Sequence, residues 1–362
     1  MTWAVAGPYP RRFGLSGSRP SVCGVERYGQ LLRRPLTMVL LNLGLAAVLY
    51  GSAQIGLLIG LERGSISPFW PPTGIALVAL LVLGPEMWPG IFVGSAIVNI
   101  FTGPVATVVP TAAGTTLACL AAYWALRRTG FRPELDRLKD ALALVFLAAL
   151  GAMLISSTIG TSLLVLSGLI PLASFGTYWL TWWTGDAMGV LIVAPLLLTL
   201  IKVPWRRYRY VDVRRIAEVA VMLAASFALM VIGETAFSVS FLAFPVLVLA
   251  AWRFQLPGAA PVGVLLSAVA IHAAVHGYGT FEGRDLMGTM VILQAFNGSI
   301  ALTGLLLSVA LTERNRTRQE LERACMELGN VVEHLDRALR PESSPLLSHW
   351  TEHKQAAPKA RG

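Results

Sequence analysis

Ten apolar stretches fill the chain between Leu36 and Leu311, and the basic residues gather in alternate gaps between them. A helix needs about 20 apolar residues to cross roughly 30 Å of hydrocarbon, and most of these stretches are long enough. The strands of a membrane barrel would be about half that length and would alternate in polarity, which these do not. The pattern therefore predicts an all-α fold, a polytopic transmembrane helix bundle of about 8–10 spans. Composition excludes the soluble alternative: charged residues make up 14% of the chain, against roughly a quarter in a soluble domain.

The predicted spans run Leu36–Gly60, Phe69–Leu83, Gly90–Thr102, Ala106–Leu126, Ala141–Leu166, Trp179–Ile201, Ile216–Ile232, Ser240–Arg253, Ala259–His276 and Met287–Leu311. The second, third and eighth are short. Lys and Arg resist translocation, so their distribution sets orientation. Arg11, Arg12, Arg19, Arg27, Arg33 and Arg34 precede the first span. Arg127, Arg128, Arg132, Arg137 and Lys139 follow the fourth, and Lys202, Arg206, Arg207, Arg209, Arg214 and Arg215 follow the sixth. The opposite loops hold only Arg63 and Arg284. Both termini are then expected in the cytoplasm. The net charge of +9 is largely this topology signal, with attraction to anionic lipid as a by-product. Nucleic acid is not an expected partner, because basic side chains confined to membrane loops meet lipid phosphates first.

Cys23, Cys119 and Cys325 stand at unrelated spacings, which indicates neither a disulfide framework nor a metal knuckle. The first long apolar run reads as an uncleaved anchor rather than a secretory signal. Residues 1–34 carry Gly, Pro, Ser and Arg without apolar periodicity and are expected to be a disordered basic tail. The integral membrane domain spans 35–311, a cytoplasmic helix 312–340, and a disordered tail 341–362. On that helix Leu321, Leu328 and Leu335 recur with Ala324, Val331 and Ala338 between them, as the d and a positions of about three heptads. One reading is a parallel coiled coil that continues the last span and joins two protomers as a homodimer. The other is a solvated amphipathic helix. Pro341 ends the helix in either case.

Polar side chains inside the membrane are the candidates for function, because an ionisable group there costs at least ~2.5–3.5 kcal/mol on insertion scales. Asp186 is the clearest, about 12 Å along the sixth span, in Trp182-Trp183-Thr184-Gly185-Asp186-Ala187-Met188-Gly189. Gly185 and Gly189 let another element approach closely, and the tryptophans suit an outer interface. Asp186 serves either as a ligand or switch group or as a structural hydrogen bond locking the packing. Trp70, Asn99, His272, His276, Gln294 and Asn297 count to similar depth in the outer half, and with Asp186 they are expected to line one outward-facing polar pocket. The histidines are spaced for a metal, but no third ligand or HExxH pattern accompanies them. No metal or cofactor is therefore expected. Arg253 falls near the cytoplasmic end of its span, where snorkelling explains it.

The run Phe69-Trp70-Pro71-Pro72-Thr73-Gly74-Ile75-Ala76 starts the second span rigidly beneath an aromatic anchor, Trp70, since consecutive prolines are tolerated in a first helical turn. This run, with WPGIFVGSAIVNI at 88–100, WWTGDAMGVLIVAP at 182–195, Trp252-Arg253-Phe254 and Gln294-Ala295-Phe296, resembles the bacterial membrane-associated sensor domain of the first class. The resemblance covers about 36–311. It implies an integral membrane input module of the kind placed before histidine kinases of two-component systems or diguanylate cyclases. The residues it carries over are Trp70, Pro71, Pro72, Asn99, Trp182, Trp183, Gly185, Asp186, Gly189 and Arg253. At the C-terminal end the chain departs from the family pattern: it has no GGDEF-like run, glycine-rich ATP-binding box or domain-sized segment after the helix. His334 lacks the acidic residue that follows many phosphoacceptor histidines. No Ser/His/Asp order, P-loop or dinucleotide fingerprint supports an enzyme. Two functions follow. One is a sensor that detects a small ligand or a membrane partner and signals through its last helix to a membrane or cytoplasmic partner. The alternative is a secondary transporter or channel, which internal repeats would favour; the sequence shows no convincing repeat.

Overall fold

The computed structural model describes residues 35–58, 67–202, 213–234 and 240–339. The expected tails at 1–34 and 341–362, and Arg206, Arg207 and Arg209 after the sixth span, lie outside these. The ten apolar stretches correspond one to one with ten helices: α1 (Pro35–Leu58), α2 (Pro71–Leu83), α3 (Trp88–Thr102), α4 (Val105–Arg128), α5 (Leu138–Leu166), α6 (Phe175–Met188, Gly189–Val193 and Ala194–Lys202), α7 (Val213–Ile232), α8 (Ala243–Phe254), α9 (Leu256–His276) and α10 (Leu286–Leu339). Six of them are long and apolar enough to cross a membrane: α1, α4, α5, α6, α9 and α10. The chain is a multi-pass membrane protein. Arg127, Arg128, Asp136, Arg253 and Glu313 mark one end of the bundle, here called the basic end; the loops after α5 and α9, with Glu234, form the far end.

The packing contains a repeat that the sequence conceals. In the first four helices α3 packs on α1 and α4, while the short α2 touches both α1 and α4. In the last four α9 packs on α7 and α10, while the short α8 touches both α7 and α10. The joints also correspond. α2 ends at Gly84 with φ 105° and α8 at Gln255 with φ 56°, and each following helix carries a proline in its first turn, Pro89 or Pro257. A positive φ turns the chain sharply and proline pre-sets the next helix. Each four-helix unit has its own core: Leu49, Leu80, Met87, Ile91 and Tyr123 in the first, and Leu247, Leu266, Ile271, Leu293 and Ile300 in the second.

The remaining helices, α5 and α6, sit between the units. α6 packs on α2 of the first unit and on α9 and α10 of the second. A third core surrounds it, with Leu77, Leu144, Met153, Val190, Leu191 and Leu305. Both helices contain a π-helical stretch, Leu144–Ala152 in α5 and Gly189–Val193 in α6. Such a stretch breaks the regular i→i−4 ladder and leaves carbonyls open to other donors. One donor is identified: the Trp183 indole N–H donates to Leu150 O at 2.8 Å.

α10 is a single helix of 54 residues, about 80 Å long at 1.5 Å per residue. Its first half packs into the bundle along one face, and from Glu313 to Arg337 it is exposed on every side.

Candidate functional site

The second span does not begin at the membrane surface. The segment Ser67–Trp70 is not helical, and it lies deep in the bundle. The Trp70 N–H donates to Gly185 O at 3.1 Å, ten residues into α6 from its far end, or about 15 Å along the axis. The Gln294 Nε2 donates to Pro68 O at 2.9 Å, eight residues into α10. Irregular backbone is tolerated at membrane depth only where protein satisfies it, and these two bonds do so. The expectation that Trp70 anchors an outer interface is thereby corrected. The reason is steric: α6 offers a groove without side chains, and backbone fills it.

Gly185 and Gly189 make that groove. A Cβ on Gly185 would stand 2.5 Å from Ser67 O, and one on Gly189 only 1.9 Å from Trp70 O. Across the contact, a Cβ on Gly74 would come within 2.2 Å of Gly189 O. Pro71, Pro72 and Thr73 are buried in this first turn of α2. The Thr73 hydroxyl donates to Trp70 O at 2.8 Å and lies 3.1 Å from Asp186 O. Close approach through the two glycines was legible in the sequence; its partner, an unwound segment instead of a helix, was not.

Asp186 is 2% exposed, and its side chain turns toward α4 and α5. Ser156 of α5 and the Trp182 indole stand beside the carboxylate, and the buried Cys119 of α4 lies within reach of its field. Even so, neither Asp186 Oδ2 nor Ser156 Oγ completes a hydrogen bond among the described residues. The tryptophans brace this region instead of facing an outer interface. Trp182 covers Gly160, Trp179 and Trp183 stack with centroids 5.7 Å apart, and the Trp179 indole donates to Thr158 Oγ1 at 2.9 Å.

The other expected site residues do not join Asp186 in one pocket. Asn99 bonds within its own helix, donating to Ser95 O at 2.8 Å. Ser95 lines a cleft of about 320 Å³ with Trp70, Pro72, Gly94 and Thr115. A second cleft, of about 310 Å³, is lined chiefly by apolar residues of α6, α9 and α10. Gln294 props the unwound segment, and Asn297 is fully buried with both side-chain polar atoms unpartnered among the described residues. His272 is exposed at the far end of α9, its ring 4.1 Å from that of His276. Its helical face points away from the bundle, so it is not part of the pocket. Arg253 is at the basic end, where it pairs with Glu218 of α7 at 2.7 Å and lies over the Phe254 ring. It clamps α8 to α7 and is remote from Asp186.

Three features escaped sequence reasoning. Ser156 carries no motif and gains meaning only from facing Asp186. Glu234, just past α7, is fully buried; it accepts hydrogen bonds from the Ser240 hydroxyl and from the Thr280 N–H, and so ties two far-end loops together. Burial, and then the Glu234 carboxylate, push the neighbouring Tyr278 hydroxyl above the ordinary tyrosine value. Its signal was a lone acidic residue in Val231-Ile232-Gly233-Glu234-Thr235-Ala236. The third is a collar where α10 leaves the bundle. Arg316 pairs with Asp136 at 2.7 Å, the Leu138 N–H donates to Glu313 Oε2 at 3.1 Å, and the Thr312 hydroxyl donates to Gln255 Oε1 at 3.0 Å.

No curated protein and no solved structure matches the chain. A family model does, the one named MASE1, over residues 40–315. That interval holds all ten helices up to the collar, including the unwound segment, the glycine groove and Asp186. The chain therefore belongs to the MASE1 family of membrane-associated sensor domains.

Proposed function

We propose that this chain is the input module of a bacterial inner-membrane signalling system, with both termini in the cytoplasm. A small ligand or a membrane partner acts on the core where Ser67–Trp70, α6 and α10 meet, and α10 carries the change out. The observation that supports this reading is the continuity of α10. One unbroken helix holds Gln294 against the unwound segment, Glu313 and Arg316 in the collar, and an apolar stripe beyond. A rigid element of this kind shifts at both ends together, provided the stimulus favours one arrangement over the other.

Past the collar Leu321, Leu328, Val332 and Leu335 are 55–65% exposed, and a second copy of the helix in a parallel coiled-coil homodimer is the partner that buries them. Counting from leucines at d refines the heptad reading, because a d-to-a step is four residues. The a positions are then Cys325 and Val332. α10 passes the change to a membrane or cytoplasmic signalling partner. The transport alternative draws on the two four-helix units and the half-length α2, features of transporter architecture; solute flux in proteoliposomes would favour it.

The test uses Cys325 as a native reporter. A short thiol-reactive bis-maleimide should cross-link two copies at Cys325, and Gln294→Ala should change the yield from 31 residues away, about 46 Å along the helix. Identical yields in both proteins would sink the relay, and absence of any cross-link would sink the parallel dimer.

A further inference from the structure

Asp186 is the one Asp, Glu, Lys or Arg in α4 from Val105 to Leu126, in α5 from Ala141 to Leu166, in α6 from Phe175 to Ile201 and in α10 from Leu286 to Leu311. α2 carries none either. The groups that face it are therefore neutral or weakly acidic. α4 contributes the Cys119 thiol, α5 the Ser156 hydroxyl, α6 itself the Trp182 indole, and α2 the Thr73 hydroxyl at the Asp186 carbonyl. Asp186 takes part in none of the ion pairs among the described residues.

A bare carboxylate in such surroundings is expensive, since an isolated charge in a low-dielectric interior is either neutralised or accompanied by an opposite charge. The available space says how large the companion is. Ser156 is 2% exposed, Ser157 and Cys119 0% and Ala187 1%. The Trp182 ring closes over Gly160. Neither cleft described above reaches Asp186. The packing leaves no room here for a sugar, an organic acid or an amino acid, which limits a companion charge to a single small cation. Asp186 Oδ2 and Ser156 Oγ are both buried, the hydroxyl stands beside the carboxylate, and neither atom completes a hydrogen bond of ordinary geometry among the described residues.

We propose that Asp186 and Ser156 form a binding site for one small monovalent cation, a proton or a sodium ion, and that this ion is a ligand of the sensor. The proposal rests on the input-module reading above and names the ligand class of its site. Binding neutralises the carboxylate where α6 meets α4 and α5, and the Thr73 contact to the Asp186 carbonyl ties that residue to the unwound segment. A proton adds to one carboxylate oxygen and leaves a carboxylic acid able to donate to Ser156. A sodium ion takes the carboxylate and the hydroxyl oxygen as ligands and keeps the acid deprotonated.

The test is difference infrared spectroscopy of the protein in lipid nanodiscs, stepped from mildly acidic to mildly alkaline buffer in choline chloride and again in sodium chloride. A carboxylic-acid C=O band that Asp186→Asn lacks, and that disappears as pH rises in choline, assigns the proton. Disappearance of the same band on adding sodium at constant pH assigns the sodium ion. In that case sodium should also raise the melting temperature of the wild type, and Ser156→Ala should need several-fold more sodium for the same rise. Ser156→Ala keeps the carboxylate, so it serves as the second variant if Asp186→Asn fails to fold. Spectra and melting temperatures that ignore both pH and sodium would overturn the proposal. The Cys325 cross-link reads the relay separately, so failure of either reading is distinguishable from failure of the other.

Discussion

The bundle buries two carboxylates in opposite ways. Glu234 at the far end is fully enclosed and fully used, accepting from Ser240 and from the Thr280 backbone. Asp186 in the core is almost as buried, yet one of its oxygens accepts nothing among the described residues. A buried charge with complete hydrogen bonding is a structural fastener, and removing it exposes the unpaired remainder. A buried charge left incomplete does little for stability, so its presence calls for another explanation. The contrast separates a residue that fastens the fold from the one proposed to read a signal.

The sharpest way to break this contrast is to disturb the groove beneath Asp186 and leave the carboxylate itself in place. Gly189→Ala drives a methyl group into Trp70 O and should destabilise the bundle by ~3 kcal/mol or more, at the upper end of overpacking costs. Loss of folded protein on size-exclusion chromatography, or a large fall in melting temperature, would register it. Glu234→Ala comes next, at about 2–4 kcal/mol, because Ser240 and Thr280 lose a charged acceptor. Thermal unfolding followed by tryptophan fluorescence checks this value, and a change below about 1 kcal/mol would reduce Glu234 to a bystander. Asp186→Asn should fall within ~1 kcal/mol of wild type while abolishing the stimulus response, since few completed side-chain bonds are lost. A large loss of membrane abundance would instead make Asp186 a packing residue. Smallest for the bundle is the pair Leu328→Lys with Leu335→Lys, expected to leave its melting temperature unchanged while removing the cross-linked dimer, because these side chains are exposed within one chain.

The helices themselves were legible because apolar length is a direct physical requirement of the bilayer. All ten predicted spans have a counterpart, and Gly185 and Gly189 declared a close approach. What stayed hidden depends on three-dimensional encounter. Trp70 reads as an interfacial anchor by residue type, but the side-chain-free face of α6 draws its backbone inward. His272 counts to the right depth along α9, but depth does not fix the face, and its face is outward. The two four-helix units share packing and joint geometry, at Gly84 and Gln255, without shared side chains. Ser156 is one of many hydroxyls in apolar helices, and only its position opposite Asp186 sets it apart.

The most direct test of the account measures the distance between spin labels on Cys325 of two copies, with Cys23 and Cys119 replaced, in nanodiscs. The account predicts one short inter-label distance for the parallel dimer, and a shifted or broadened distribution when Asp186→Asn is introduced about 140 residues upstream in sequence, as α10 follows the altered core. A distribution unchanged by Asp186→Asn in a protein of normal stability would contradict the claim that the core and the last helix are coupled.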